Sequence, residues 1–332
     1  MHTLAADVIL GALEGTMPDK SELAFLDRVR PVGLTLFTRN IPDNGHQLPT
    51  GLCEFLASRY SHPDRPFYIA IDQEGGRVRR LKDPFPNPGP AMTVARNLSP
   101  VEQHESLKNW GVKVGSGLKN SGIHINFAPC ADVFTSPGSE AIGDRSYSDD
   151  PHLVCSRAGA FMDGLIEGGV LTCLKHFPGQ GAAQTDTHED SCETTSSEET
   201  LFQKDMLPFQ TLAHRSPLIM TSHCIFPSLD KKEASLSGYI MKNILREKLR
   251  FKGVIVTDDM TMGAMSKKPE PLEDLITESI AQGADLALIC RGLDNWQNAI
   301  DRVNQEAEKS PVFRERLREA SGRVRQLSSL LN

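Results

Sequence analysis

The feature that most constrains this chain is a rhythm. Short apolar runs rich in Val, Ile, Leu and Phe recur at 7–13, 33–37, 67–71, 123–127, 171–174, 218–221, 253–257 and 285–289. They do not alternate cleanly between apolar and polar residues, which is how strands of a parallel sheet covered on both faces read. Between them lie helical patterns at 21–29, 98–120, 153–168, 198–213, 237–249, 272–282 and 295–308. Eight strand candidates separated by helices predict an α/β fold, a single (β/α)8 TIM-type barrel, with a doubly wound sheet as the runner-up. No repeat, low-complexity tract or linker divides the 332 residues, so 1–332 is read as one catalytic barrel domain. In the tail, Phe313, Leu317, Ala320, Val324, Leu327 and Leu331 recur at alternating spacings of four and three. That is one face of an amphipathic C-terminal helix, expected to pack on the barrel rather than on a second copy.

Composition narrows the function. A net charge of −7 with no Lys/Arg cluster argues against a nucleic-acid partner. Seven scattered cysteines without a CxxC pair suit free thiols in a reducing compartment. The N-terminus lacks a basic segment, Asp7 interrupts its apolar run, and no apolar run reaches the about 20 residues of a membrane helix. The expectation is a cytoplasmic, monomeric protein with no membrane partner.

In a barrel of this kind chemistry sits at the C-terminal ends of the strands. Asp72-Gln73-Glu74-Gly75-Gly76-Arg77 follows the third run and Asp132 the fourth; Lys175-His176 follows the fifth, Ser222-His223 the sixth, Asp258-Asp259 the seventh and Arg291 the eighth. Polar groups thus gather at one end of six strands, as in an enzyme. The densest stretch runs from Lys175-His176-Phe177-Pro178-Gly179-Gln180-Gly181 to Asp186-Thr187-His188.

These blocks, with Thr257-Asp258-Asp259-Met260-Thr261-Met262, resemble glycoside hydrolase family 3, and within it the single-domain bacterial β-N-acetylglucosaminidases of the NagZ type. The likeness runs from about Gly33 to Arg291. Lys-His-Phe-Pro-Gly followed by Asp-x-His marks that branch. Two positions depart from it: Gln180 stands where His is usual, and Thr187 where Ser is commoner.

The resemblance implies roles. A retaining glycosidase attacks the anomeric carbon with a carboxylate while an acid protonates the leaving oxygen. Asp258 matches the nucleophile position; since a strand alternates its faces, only one of Asp258 and Asp259 can point into the barrel mouth. No glutamate occupies an acid/base position, but His188 does. Asp186, two residues earlier, would fix its tautomer and support the imidazolium. The segment 177–197 is read as a mobile catalytic loop carrying that pair. Asp72, Arg80, Arg145, Lys175 and His176 match the positions that hold the −1 N-acetylglucosamine. Arg77, near the Gly-Gly turn, reads as structural; Asp132 is expected to order the barrel top, and His223 has no assigned role. The implied activity is a retaining exo-β-N-acetylglucosaminidase, needing no cofactor and no metal, acting on saccharides such as N-acetylglucosamine linked to 1,6-anhydro-N-acetylmuramic acid during peptidoglycan recycling. The alternatives are a β-glucosidase or phosphorylase of the same family, a metal-dependent barrel hydrolase using His176, His188, His223 and Asp258, or a degenerate sugar-binding barrel.

Overall fold

The computed structural model describes residues 3–62, 65–94, 98–135, 141–183 and 192–331. Its eight parallel strands are β1 Ile9–Leu10, β2 Gly33–Leu36, β3 Tyr68–Ile71, β4 Ile125–Asn126, β5 Leu171–Phe177, β6 Leu218–Thr221, β7 Val254–Asp259 and β8 Leu286–Leu288. They form one sheet in the order β1-β8-β7-β6-β5-β4-β3-β2. A parallel bridge between Gly11 and Leu34, with the Thr35 amide donating to the Gly11 carbonyl at 2.8 Å, brings the two edges together. The (β/α)8 barrel predicted from the rhythm is therefore observed, and the doubly wound alternative is not.

The strands look uniformly apolar because both faces are buried, yet the two faces serve different compartments. Tyr68 and Ala70, Leu171 and Cys173, Leu218 and Met220, Val254 and Val256, Leu286 and Leu288 fill the barrel interior. Ile69, Ile71, Leu174, Ile219, Ile255 and Ala287 face the surrounding helices. This period of two decides which residues at the strand ends point into the mouth.

Each strand is followed by helical structure. The helices Lys20–Val29, Pro100–Asn120, Pro151–Glu167, Leu272–Gln282 and Leu293–Lys309 lie where the sequence places them. Ser99 and Asp19 cap two of them, each in a reciprocal pair with a glutamate three residues on. The helix Thr50–Tyr60 is not foreseen: it begins after Pro49 without a side-chain cap and carries Gly51, so its start signals are weak. The 198–213 pattern is broken into Glu198–Thr200, a π-wound turn Leu201–Asp205 and Leu207–Leu212, with Pro208 at the restart. The 237–249 pattern is π-wound over Tyr239–Lys248.

The tail forms the helix Pro311–Gln326 and packs on the barrel as expected, since Val324 and Leu327 join the interior cluster from below. Buried carboxylates anchor it. Asp7 accepts from the Ser321 hydroxyl at 2.7 Å and the Arg325 guanidinium at 2.7 Å. Asp285 accepts from Arg316 at 2.7 Å, from Arg323 at 3.0 Å and from Arg246. Among the described residues no helix is long and apolar enough to cross a membrane.

Candidate active site

Counting two residues on from the inward-facing series of β3, β5 and β7 reaches Asp72, Lys175 and Asp258. The sheet thus delivers an acid, a base and an acid to the barrel mouth from three strands. Two strands run further than the sequence suggests: β5 carries Lys175, His176 and Phe177, and β7 carries both Asp258 and Asp259. The side chains are accordingly set by sheet geometry rather than by loops.

Lys175 Nζ lies 2.8 Å from Asp72 Oδ1 and 2.7 Å from Glu74 Oε1. Arg80 Nη2 donates to Asp72 Oδ2 at 3.0 Å. Arg145 grips Glu74 with two bonds, Nη2 to Oε1 at 2.8 Å and Nε to Oε2 at 3.0 Å. Burial pushes the Asp72 and Glu74 carboxyls up, but the adjacent cations outweigh it: Asp72 ends well below the usual carboxylate range and Glu74 at about 2. Burial likewise disfavours charge on Lys175 and Arg145, and the carboxylates reverse it, holding both protonated. The result is a compact set of opposed charges at the mouth, in which Asp72 and Glu74 are held as carboxylates and Lys175 and Arg145 as cations.

A short hairpin, Gln73–Gly75 with Val78–Arg79, returns Arg80 to Asp72. Its clamp is the Gln73 amide, which donates to the Leu81 carbonyl at 3.0 Å and accepts from the Arg80 and Leu81 amides at 2.9 and 3.0 Å. Arg77 is structural, as read from the sequence: it pairs with Asp144 at 3.1 Å and donates to the Ala141 carbonyl at 2.9 Å, bracing the turn that presents Arg145.

His176 joins this cradle to Asp258. Its Nδ1 donates to Asp132 Oδ2 at 2.7 Å, and Asp132 also accepts the His176 and Gln180 backbone amides. That leaves Nε2 facing Arg145 Nη2 at 3.4 Å and Asp258 Oδ2 at 4.0 Å. Asp132 therefore orders the barrel top. Burial pushes its carboxyl up, but the His176 side chain and the backbone amides bring it below its ordinary value. Gly181 makes this turn possible, since a Cβ there would sit 1.6 Å from the Val133 carbonyl oxygen.

Asp258 and Asp259 part as strand alternation demands. Asp259 Oδ1 accepts from the Thr261 amide at 2.9 Å and the Cys290 amide at 3.1 Å, which ties β7 to β8. Asp258 is left at the mouth, its side chain 16% exposed.

His223, which the sequence left without a role, is a buried strut. Its Nε2 lies 3.0 Å from the Asp259 carbonyl, which can only accept, so Nδ1 accepts from Ser235 Oγ at 2.7 Å. Burial depresses its basicity. With both ring nitrogens engaged by protein, it cannot serve the metal-dependent alternative. Cys130, Asp132 and His176 present donor atoms within 4.8 Å of one another. They already satisfy one another through Asp132 Oδ2, with Cys130 Sγ at 3.3 Å.

Of the residues the sequence singles out, Asp72, Arg80, Arg145, Lys175, His176 and Asp258 come together at one mouth. Asp186 and His188 lie outside the described residues. Glu74 was missing from the sequence-derived site. The signal for it was its position two residues after Asp72, on the same face of an extended segment.

A family model for the glycosyl hydrolase family 3 N terminal domain matches residues 16–327. The chain belongs to glycosyl hydrolase family 3. It is 33% identical over 308 residues to a β-hexosaminidase of Haemophilus influenzae, spanning 91% of this chain and 84% of that protein. It is 32% identical to a β-hexosaminidase of Pasteurella multocida, spanning 94% of this chain and 86% of that one. Among solved structures, a family 3 β-N-acetylglucosaminidase from Paenibacillus superposes with a TM-score of 0.89 at 28% identity. The match takes in 98% of this chain, which spans only 62% of that longer one. A family 3 glycosyl hydrolase from Mycobacterium smegmatis superposes with a TM-score of 0.82 at 27% identity over 98% of this chain and 95% of that one. As a family 3 member this chain is a glycoside hydrolase.

Proposed function

We propose that this family 3 hydrolase is a retaining exo-β-N-acetylglucosaminidase that cleaves terminal β-linked N-acetylglucosamine through a covalent glycosyl-enzyme. The observation that carries the reading is the placement of Asp258. It is an inward-facing carboxylate at the strand end, 4.0 Å from His176 and beside the Asp72–Lys175–Glu74–Arg145 cradle. The β-hexosaminidases that this chain resembles over most of its length support the choice of sugar.

In the proposed reaction the cradle binds the hydroxyls of the terminal sugar, with Asp72 and Glu74 accepting and Arg80, Arg145 and Lys175 donating. Asp258 attacks the anomeric carbon while His188, oriented by Asp186, gives its proton to the departing glycosidic oxygen. Water then attacks the glycosyl ester, His188 takes the water proton, and Asp258 leaves as carboxylate. The natural substrates proposed are muropeptide fragments with N-acetylglucosamine on 1,6-anhydro-N-acetylmuramic acid, met in the cytoplasm during cell-wall recycling by a monomeric enzyme.

The test is intact mass and peptide mapping after incubation with a 5-fluoro or 2-fluoro N-acetylglucosamine-type inactivator. A sugar adduct on the peptide carrying Asp258 is expected. Turnover of an aryl β-N-acetylglucosaminide without any adduct would overturn the covalent mechanism, and release of sugar 1-phosphate in phosphate buffer would replace hydrolysis with phosphorolysis.

A further inference from the structure

The π-wound turn Leu201–Asp205 ends on a carboxylate with no part in the site just described. Asp205 is 1% exposed, and neither of its carboxylate oxygens has a hydrogen-bond partner. Asp132 and Asp285 are buried too, and Asp72 and Glu74 half-buried, but each is met by cations or N–H donors. An ionised carboxylate without donors in a packed interior costs far more than its neutral acid, so this side chain is built to keep its proton.

Its position gives that proton a consequence. Asp205 packs directly behind Gly179, where φ is +129° and a Cβ would lie 2.7 Å from Asp205 Cβ. The next residue, Gln180, donates its amide to Asp132 at 2.6 Å, and Asp132 holds His176. Among the described residues Lys204 and, more weakly, the backbone amide of Asp205 favour its ionisation, while Asp132 across the Gly179–Gln180 turn opposes it. Beyond Asp132 stand its partners His176 and Cys130. Burial is the largest influence, and together these raise the Asp205 carboxyl to about 7.

We propose that Asp205 is a positioning residue held as the neutral acid behind the Gly179–Gln180 turn, and that its ionisation disturbs Asp132 and, through it, His176, closing the alkaline side of the enzyme's working range. A second negative charge beside Asp132 in a low-dielectric interior repels it strongly. Admitting water or shifting the turn relieves the repulsion, and either one moves the anchor of His176. The sign follows from linkage. The unfolded chain releases this proton near 3.8 and the folded one near 7. The folded state is therefore unpenalised below about 3.8, penalised progressively up to about 7, and fully penalised above it.

The activity part of this inference rests on the glycosidase reading, so the experiment has a readout that does not. Infrared difference spectra of native protein at about pH 6 should show a protonated-carboxyl stretch that Asp205→Asn lacks. The variant's melting temperature should gain on the native one as pH rises from about 5 to about 8. With an aryl β-N-acetylglucosaminide, Asp205→Asn should keep near-native activity at the acid end. Its alkaline limb of kcat/KM should lie about one unit higher. Absence of the infrared band, or superposable pH profiles, would overturn the proposal. If the native protein turns over no such glycoside, the N-acetylglucosaminidase reading fails while the infrared band still decides the state of Asp205.

Discussion

Glu74 shows how one side chain can set the charge of an active site. It holds Lys175 at 2.7 Å and Arg145 at 2.8 Å, both in the protein interior. Removing its charge leaves Arg145 without its carboxylate and Lys175 with Asp72 alone, and breaking a buried pair from one side costs about 3 kcal/mol. Glu74→Gln should lose about that much in urea denaturation at neutral pH. The loss depends on pH with a definite sign. The folded carboxyl titrates near 2 against an ordinary 4.5, so its stabilisation is complete above about 4.5 and disappears as pH falls through about 2. The gap between native and Glu74→Gln stability should therefore narrow on acidification, and a constant gap would show that the charge is not what stabilises. At Asp258 the expected outcome is catalytic: Asp258→Ala should abolish turnover while a non-hydrolysed N-acetylglucosamine analogue still binds, as measured by calorimetry. Near-native turnover in that variant would remove Asp258 from the mechanism. His188→Ala should slow substrates with poor leaving groups far more than activated aryl glycosides, since only the former need a proton at departure. Equal losses would deny His188 the acid role.

The hairpin after β3 is an element whose register depends on one amide, Gln73. Truncating it to Ala removes three hydrogen bonds and frees Arg80 from its place against Asp72. Gln73→Ala should raise KM several-fold while changing kcat less, because the role proposed for Arg80 is to bind the sugar and not to take part in the chemistry. An equal fall in kcat would place Arg80 in the transition state. This element also shows what was legible in the sequence. The strand ends were readable because burial on both faces leaves a nearly unbroken apolar run that stops where the polar residues begin. That only one of Asp258 and Asp259 faces the mouth was readable because alternation is a property of any strand. Glu74 was not readable as a charge partner, since Arg145 lies 71 residues away and only the closed barrel brings the two together. The helix Thr50–Tyr60 and the π-wound segments were obscured for a different reason. Their windings and starts are set by tertiary packing, and Pro208 and Gly51 carry local preferences that the packing overrides.

For the whole molecule, closure of the barrel depends on the narrow β1–β2 seam at Gly11. The Trp296 indole fills the space where a side chain at position 11 would go, with a Cβ there only 2.1 Å from the ring. Gly11→Ala should thus displace the helix Leu293–Lys309, lower the melting temperature and red-shift Trp296 fluorescence. The floor is held differently, by Asp7 and Asp285 reaching the helix Pro311–Gln326. That arrangement has a consequence for synthesis on the ribosome. Asp7 emerges well before its partners Ser321 and Arg325, which follow it by 314 and 318 residues. Until they arrive, an isolated N-terminal half carries a carboxylate that the finished barrel would bury and no cation of the tail to meet it. Nascent chains should accordingly stay protease-sensitive until the helix Pro311–Gln326 has emerged and then become resistant in a single step.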